Sequence, residues 1–260
     1  RRAQPLSIRA ITFDFWDTIV RDDTDEPKRT AQGLPSKADA RVSTFVTEVS
    51  AHHPALDEAT IRAALTEANA RFRHAWKKEH HTPSVGDRLA VGFDVLGIER
   101  TPGFDALVSN WETMEVQIPP DLAPGIEDCL AQLDGRYRLG IISDAIVTPG
   151  TGLRQILGDY GLLHHFDDFV FSDEAGAAKP AARVFELAVA GLGVAPGELL
   201  HVGDREANDI DGPRAFSARS ILYTGAIDRR QPGEVSRADR VVAHHRDLPA
   251  AVASISDGLR

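Results

Sequence analysis

The chain has 260 residues, of which 42% are hydrophobic, 26% charged and 7% aromatic. These values are typical of a folded protein of one or two domains, and they exclude a wholly disordered or coiled-coil chain. The formal net charge of −10 disfavours broad electrostatic binding of nucleic acid or of an anionic membrane surface, so we expect neither as a partner.

The composition and the N-terminus indicate a cytoplasmic protein. The single cysteine, Cys129, cannot form an internal disulfide or a thiolate metal cluster. No apolar run reaches the 18 or so residues needed to cross a bilayer. Residues 1–5 lead into a short strand-like run rather than a long apolar segment, so we predict no secretory signal.

Six short runs predict β-strands, because most of them are apolar throughout. They are residues 8–13, 139–142, 169–171, 199–202, 220–223 and 241–243. Continuous apolar strands are typical of a parallel sheet that is covered on both faces. Helical patterns at 126–133 and 184–192 lie between the later strands. This alternation predicts a doubly wound, Rossmann-like α/β fold with a mostly parallel sheet.

More than a hundred residues separate the first two predicted strands, which is far more than a crossover requires. Four stretches there have helical hydrophobic spacing, at 42–49, 61–76, 85–96 and 104–111. We therefore predict a helical domain over 21–120, inserted into an α/β core formed by 1–20 and 121–260. The polar stretch 22–35 is expected to be a loop, and Trp76 and Trp111 are expected in the helical core.

Polar residues directly follow three of the predicted strands. Residues 14–18 follow the first, Ser143–Asp144 the second and Gly203–Asp204 the fourth, with Asp209 shortly after. Lys179 precedes a proline near the start of the helix that follows the third strand. Ligands of open parallel sheets bind beyond the carboxyl ends of the strands, so we expect these groups in one crevice.

These motifs, in this order, resemble those of the phosphatase-like branch of the haloacid dehalogenase superfamily. The first family motif is a strand followed by Asp-x-Asp-x-Thr, and here Asp14 and Thr18 match its first Asp and its Thr. The other matching stretches are 140–143, 176–180 and 201–209. The resemblance spans nearly the whole chain, and it implies that the inserted helices are a cap that selects the substrate.

The resemblance implies Mg²⁺-dependent hydrolysis of a small-molecule phosphate monoester, in which Asp14 attacks phosphorus and Lys179 is the neighbouring cation. It implies substrate binding by Thr18, Ser143, Asp144 and Lys179, and a metal site of Asp14, Asp204, Asp209 and the backbone carbonyl of Trp16. Asp209 is expected to orient the metal shell or Lys179 rather than to ligate directly. The chemistry agrees, since a carboxylate attacks a charged phosphoryl group only where cations neutralise both.

Trp16 departs from the family pattern. Family phosphatases carry an aspartate at this position, which protonates the leaving oxygen and then activates water, and an indole can do neither. Asp17 is one residue further along a tight turn, and we expect its side chain to point elsewhere. Loss of a positioned acid or base typically costs about 10²–10⁴-fold in rate, so we expect slow turnover or a preference for good leaving groups. The acidic run at 22–26 is expected to be solvated.

Two other functions stay open. Haloalkanoate dehalogenases of the superfamily carry a tyrosine at the position of Trp16 and need no metal, but they lack the carboxylate of Gly203–Asp204. A catalytically degenerate phosphate-binding or interaction protein is the other alternative. The sequence identifies no substrate, and it leaves a homodimer open without determining the oligomeric state.

The remaining candidate groups have ordinary structural interpretations. Four pairs of adjacent histidines lack metal-ligand spacing, because neighbouring residues on a helix point apart. His201 lies in a strand core and is expected to be a buried, hydrogen-bonded histidine rather than a base. Cys129 is expected to pack on the apolar side of a helix.

Overall fold

The computed structural model of the protein describes residues 7–258, so residues 1–5, from which we predicted no secretory signal, lie outside the described part. The chain divides into two compact units. The first takes its described residues from 1–22, 121–144 and 157–260, and the second consists of 23–120 and 145–156. Residues 145–156, which the sequence assigned to the α/β core, thus belong to the second unit.

The strands are β1 (Ala10–Phe13), β2 (Arg138–Ser143), β3 (Asp168–Phe171), β4 (Leu199–Gly203), β5 (Arg219–Tyr223) and β6 (Arg240–Val242). The helices are α1 (Asp25–Ala31), α2 (Lys37–His52), α3 (Glu58–Lys78), α4 (Val85–Leu96), α5 (Phe104–Gln117), α6 (Ile126–Leu133), α7 (Gly150–Asp159), α8 (Ser172–Ala175), α9 (Ala182–Leu192), α10 (Gly212–Ala215) and α11 (Leu248–Asp257).

The first unit contains one parallel sheet with the strand order β3-β2-β1-β4-β5-β6. The central strands β1 and β4 are entirely buried, which explains why their sequences are apolar without alternation. Phe13 at the end of β1 pairs with Ile141 on one side and Val202 on the other. The chain therefore leaves β1 at the point where the strand order reverses, where open α/β sheets bind ligands. The predicted fold class is confirmed.

The second unit contains helices at all four predicted stretches. Three of them begin at side-chain caps, in which Ser36, Asp57 and Ser84 accept backbone N–H groups of the first turn. Their apolar faces form a core that includes Trp111 and an edge-to-face pair of Phe45 and Phe93 with ring centroids 5.6 Å apart.

Two expectations for the second unit are wrong. The stretch 22–35 is not a plain loop, because α1 forms within it with acidic residues in its first turn and basic residues in its last, as the helix dipole favours. Trp76 is only partly buried, and Trp111 alone of the two lies in the hydrophobic core. Among residues 7–258, no helix is both long and apolar enough to span a membrane.

Candidate active site

Asp14 lies directly beyond β1 and is buried. Its backbone N–H donates to the carbonyl of Val202 at 2.8 Å, which continues the β1–β4 pairing by one residue. Its Oδ1 atom accepts the backbone N–H of Phe15 at 2.8 Å. These bonds fix the carboxylate at the switch point of the sheet.

Lys179 lies in the segment between α8 and α9, and its side chain contacts Asp14. Its Nζ atom is 2.9 Å from Asp14 Oδ1 and 2.6 Å from Asp209 Oδ1. Burial by itself would lower the pKa of this ammonium, but Asp14, Asp209 and Asp144 outweigh burial and raise the pKa above its usual value. Lys179 is therefore a permanent positive charge against the carboxylate of Asp14.

Asp209 is fully buried in a turn of π-helix that follows β4. Its Oδ2 accepts the backbone N–H of Arg205 at 2.9 Å, and its Oδ1 meets Lys179 and, at 3.2 Å, His201 Nε2. Burial favours the protonated acid, yet the charge of Lys179 and the His201 contact hold the pKa well below its usual value. Because both oxygens have partners, Asp209 serves first to hold Lys179.

Asp204 directly follows β4 and is the least compensated carboxylate of the group. Its Oδ2 accepts Arg229 Nε at 2.5 Å, but its buried Oδ1 has no hydrogen-bond partner within the described part of the chain. Burial, then the nearby charges of Asp14 and Asp209, raise the pKa of Asp204 to about 7. Arg229 thus compensates one oxygen of Asp204, and the other oxygen is open to a further positive charge.

Candidate ligand atoms of Asp14, Asp204 and Asp209 all lie within 4.8 Å of one another. Carboxylate oxygens are the ligands that hard divalent cations such as Mg²⁺ prefer. Together with the open oxygen of Asp204, this donor set fits the predicted Mg²⁺. Among residues 7–258, it is the only such cluster of metal-binding side chains, and it includes none of the paired histidines.

The predicted substrate-binding residues fall into two groups. Ser143, at the end of β2 beside β1, has a buried hydroxyl without a partner in the described residues, so it can bind a phosphoryl oxygen. Thr18 is fully buried, with an equally unpartnered hydroxyl, and its carbonyl accepts His245 Nε2 at 2.8 Å. Asp144 instead accepts the backbone N–H of Lys179 at 3.0 Å, which is a structural contact that the sequence did not predict.

The turn after Asp14 carries Trp16 where the family has an aspartate, and Asp17 follows it. Trp16 is half-buried and packs edge-to-face on Phe15 with ring centroids 5.0 Å apart. Asp17 has a left-handed φ of 53°, and its Oδ2 lies 2.5 Å from a terminal nitrogen of Arg229. Asp17 is therefore committed to an ion pair, and it offers no free acid in place of the missing aspartate.

Sequence reasoning missed Arg229, which lies in the irregular segment between β5 and β6 and contacts both Asp17 and Asp204. No periodicity or motif marks this arginine. The acidic run 22–26 was also misjudged, because Asp25 is completely buried and its Oδ1 lies 2.9 Å from Lys37 Nζ.

The interpretation of His201 and Cys129 as structural residues is confirmed. His201 is fully buried, and its Nδ1 lies 2.9 Å from the hydroxyl of Thr12. Burial lowers its pKa, against the contact with Asp209, which raises it. Cys129 is buried in α6, and burial raises the pKa of its thiol to about 12, which makes it unreactive.

A parallel sheet whose switch point carries Asp14, Lys179 and two further carboxylates defines a hydrolase of the haloacid dehalogenase class. The chain belongs to this family, since the model of the haloacid dehalogenase-like hydrolases matches residues 8–216. It is 28% identical to the haloacid dehalogenase-like hydrolase domain-containing protein 3 of Homo sapiens over 238 residues, which cover 86% of this chain and 84% of that protein.

Two further proteins are similar to the chain. A phosphoserine phosphatase of Thermus thermophilus is 40% identical over 112 residues, 43% of this chain and 44% of that protein. The putative HAD-hydrolase YfnB of Bacillus subtilis, solved bound to magnesium, superimposes with a TM-score of 0.61 at 17% identity, over 95% of this chain and 99% of that chain. At that identity the second likeness shows the fold alone.

Proposed function

We propose that this hydrolase is a divalent-cation-dependent phosphatase of small-molecule phosphate monoesters. The observation that carries the proposal is the position of the Asp14 carboxylate, 2.9 Å from the buried Lys179 ammonium and beside the open oxygen of Asp204. A nucleophile, a fixed cation and a set of oxygen ligands for a divalent cation are the parts that phosphoryl transfer requires.

The contacts of Asp14 indicate which oxygen attacks. Oδ1 already accepts from Phe15 and Lys179, so Oδ2 is the oxygen available to phosphorus. As the bond from Oδ2 to phosphorus forms, the bond from phosphorus to the ester oxygen breaks, and the alcohol leaves as an alkoxide that takes a proton from water. Water then hydrolyses the aspartyl phosphate and regenerates the carboxylate, releasing inorganic phosphate.

Lys179 and Ser143 stabilise the transferred group. The ammonium lowers the repulsion between the phosphoryl group and the attacking carboxylate, and the Ser143 hydroxyl donates to an equatorial oxygen. Mg²⁺, held by Asp14 and Asp204 with Asp209 beside them, would supply further neutralisation of the phosphoryl charge. Asp209 contributes mainly by fixing Lys179, because both its oxygens are hydrogen-bonded within the protein.

The turn after Asp14 limits the substrates. The indole N–H of Trp16 is too weak an acid to protonate the leaving oxygen, and Asp17 is paired with Arg229. Leaving groups that are stable as anions need no such proton, so we expect aryl phosphates to be hydrolysed faster than alkyl phosphates.

The test measures p-nitrophenyl phosphate hydrolysis with and without Mg²⁺, in the wild type and in Asp14→Asn. The proposal predicts that p-nitrophenol is released only when Mg²⁺ is present. The rate of this release should fall at least about 10³-fold in Asp14→Asn. Halide release from 2-chloropropionate without metal would instead identify a dehalogenase. If neither substrate is turned over and the protein still binds phosphate, it is a binding protein.

A further inference from the structure

Arg229 joins two carboxylates that follow the neighbouring strands β1 and β4 at the same edge of the sheet. Its Nε donates to Asp204 Oδ2 at 2.5 Å, and a terminal nitrogen donates to Asp17 Oδ2 at 2.5 Å. Asp204 directly follows β4, whereas Asp17 belongs to the turn after β1. A guanidinium is a rigid planar fork, so these two bonds fix both carboxylates relative to each other.

The contact with Asp204 is selective between its two oxygens. Arg229 takes Oδ2, while Oδ1 is buried and has no hydrogen-bond partner in the described residues. The nearest nitrogen to Oδ1 in an ion pair is Arg205 Nε at 3.9 Å, beyond hydrogen-bond distance and on a half-exposed side chain. The arrangement therefore leaves one defined oxygen of Asp204 open to a cation.

The charges in direct contact also leave room for a divalent ion. The carboxylates of Asp14, Asp17, Asp204 and Asp209 meet the two cations Lys179 and Arg229 in ion pairs of 2.9 Å or shorter. Four negative and two positive charges leave a formal charge of −2. A divalent cation neutralises this charge without displacing Arg229, since the arginine occupies the other oxygen of Asp204.

We propose that Arg229 is a positioning residue of the metal site, which holds Asp204 with Oδ1 open to the cation. This inference rests on the metal site of the proposed function. It also gives Asp17 a role, because the Asp17 carboxylate accepts the second hydrogen bond of the Arg229 guanidinium and so holds it in place. Partners that orient a ligating carboxylate typically change metal affinity or activity about 10–100-fold when they are removed.

The test titrates Mn²⁺ and Mg²⁺ into the wild type, Arg229→Met, Arg229→Lys and Asp17→Asn by calorimetry without substrate. We expect both ions to bind about 10–100-fold more weakly to Arg229→Met. Arg229→Lys should also bind more weakly, since an ammonium lacks the planar fork. Asp17→Asn should show a smaller loss in the same direction.

Arg230→Met is the matched control, because Arg230 is the adjacent arginine and its side chain hydrogen-bonds Asp228 on the same segment. It should bind metal as the wild type does. Thermal melting of each variant checks folding, and Arg229 is 34% exposed, so its replacement is not expected to unfold the chain.

Two results would overturn the inference. Equal or tighter metal binding by Arg229→Met, with wild-type melting, would show that Arg229 is a bystander or a competing cation. If the wild type binds neither ion, the metal site of the proposed function is wrong, and the positioning role is wrong with it.

Discussion

Each unit of this protein buries a cluster of charged side chains, and the two clusters differ in their charge balance. The core cluster of the first unit consists of Asp14, Asp204, Asp209 and Lys179. The helical-unit cluster of the second consists of Asp25, Glu115, Lys37 and Arg41, with Lys37 Nζ 2.9 Å from Asp25 and 3.2 Å from Glu115. Arg41 pairs with Glu115 at 3.3 Å.

In the helical-unit cluster, two buried carboxylates and the exposed Asp23, 3.4 Å from Lys37 Nζ, meet two cations. Burial would raise the pKa of Glu115, but Arg41 and Lys37 hold it below its usual value. Asp25 also has one oxygen without a partner among the residues described, so an unpaired oxygen alone does not mark a functional site. The core cluster differs because four carboxylates, Asp17 included, meet only the two cations Lys179 and Arg229. The larger deficit of positive charge distinguishes the core cluster.

We expect the largest effect from Lys37→Met, which should lower the stability of the fold. The substitution leaves the buried carboxylates of Asp25 and Glu115 with too little positive charge. Removing one partner of a buried pair typically costs about 3–5 kcal/mol of stability. Chemical denaturation followed by circular dichroism measures the loss, with Lys78→Met, at the exposed end of α3, as control. An unchanged free energy of unfolding would show that Lys37 does not compensate the negative charge of this cluster.

Lys179→Met tests the other cluster through activity. It removes the cation beside Asp14, and we expect kcat of the Mg²⁺-loaded enzyme on p-nitrophenyl phosphate to fall about 10²–10³-fold. Arg183→Met, an exposed change in α9, should keep wild-type kcat. A fall of less than tenfold in Lys179→Met would remove this lysine from the proposed chemistry.

His245 shows how burial without a charged partner shifts the pKa of a side chain. Its ring stacks on Tyr223 with centroids 4.1 Å apart, and burial lowers its pKa to about 4. The unfolded chain takes up a proton near pH 6.5 and the folded chain only near pH 4, so stability is retained above pH 6.5 and lost as the pH falls to 4. The loss reaches about 3 kcal/mol.

His245→Phe keeps the ring stacking and removes this titration. Denaturation curves between pH 7.5 and 4 should therefore fall less steeply for the variant than for the wild type. Parallel curves would show that burial of His245 does not couple folding to protonation.

Trp16→Asp is expected to have the smallest effect. An acid at this position should raise turnover of alkyl phosphates about tenfold and that of aryl phosphates less, because only the poor leaving group needs a proton. Steady-state kinetics on p-nitrophenyl phosphate and an alkyl phosphate measure the difference. Equal or lower rates on both would show that the missing acid does not limit turnover.

The sequence predicted the parts of the site that follow directly from strand ends. Asp14, Ser143 and Asp204 could be placed because the carboxyl ends of adjacent parallel strands share one edge. Arg229 could not, since it lies in an irregular segment 25 residues after Asp204. The burial of Asp25 could not be predicted from the sequence either. An acidic run looks the same in the sequence whether its negative charge is solvated by water or paired with Lys37.

The central claim is that the core cluster binds one divalent cation. Equilibrium binding of Mn²⁺ followed by electron paramagnetic resonance tests it in the wild type, in Asp204→Asn and in Asp211→Asn, whose exposed carboxylate pairs with Arg237. We predict one bound ion per chain in the wild type and in Asp211→Asn, and none in Asp204→Asn at the same concentration. Binding that survives in Asp204→Asn, or that is absent from the wild type, would contradict the claim.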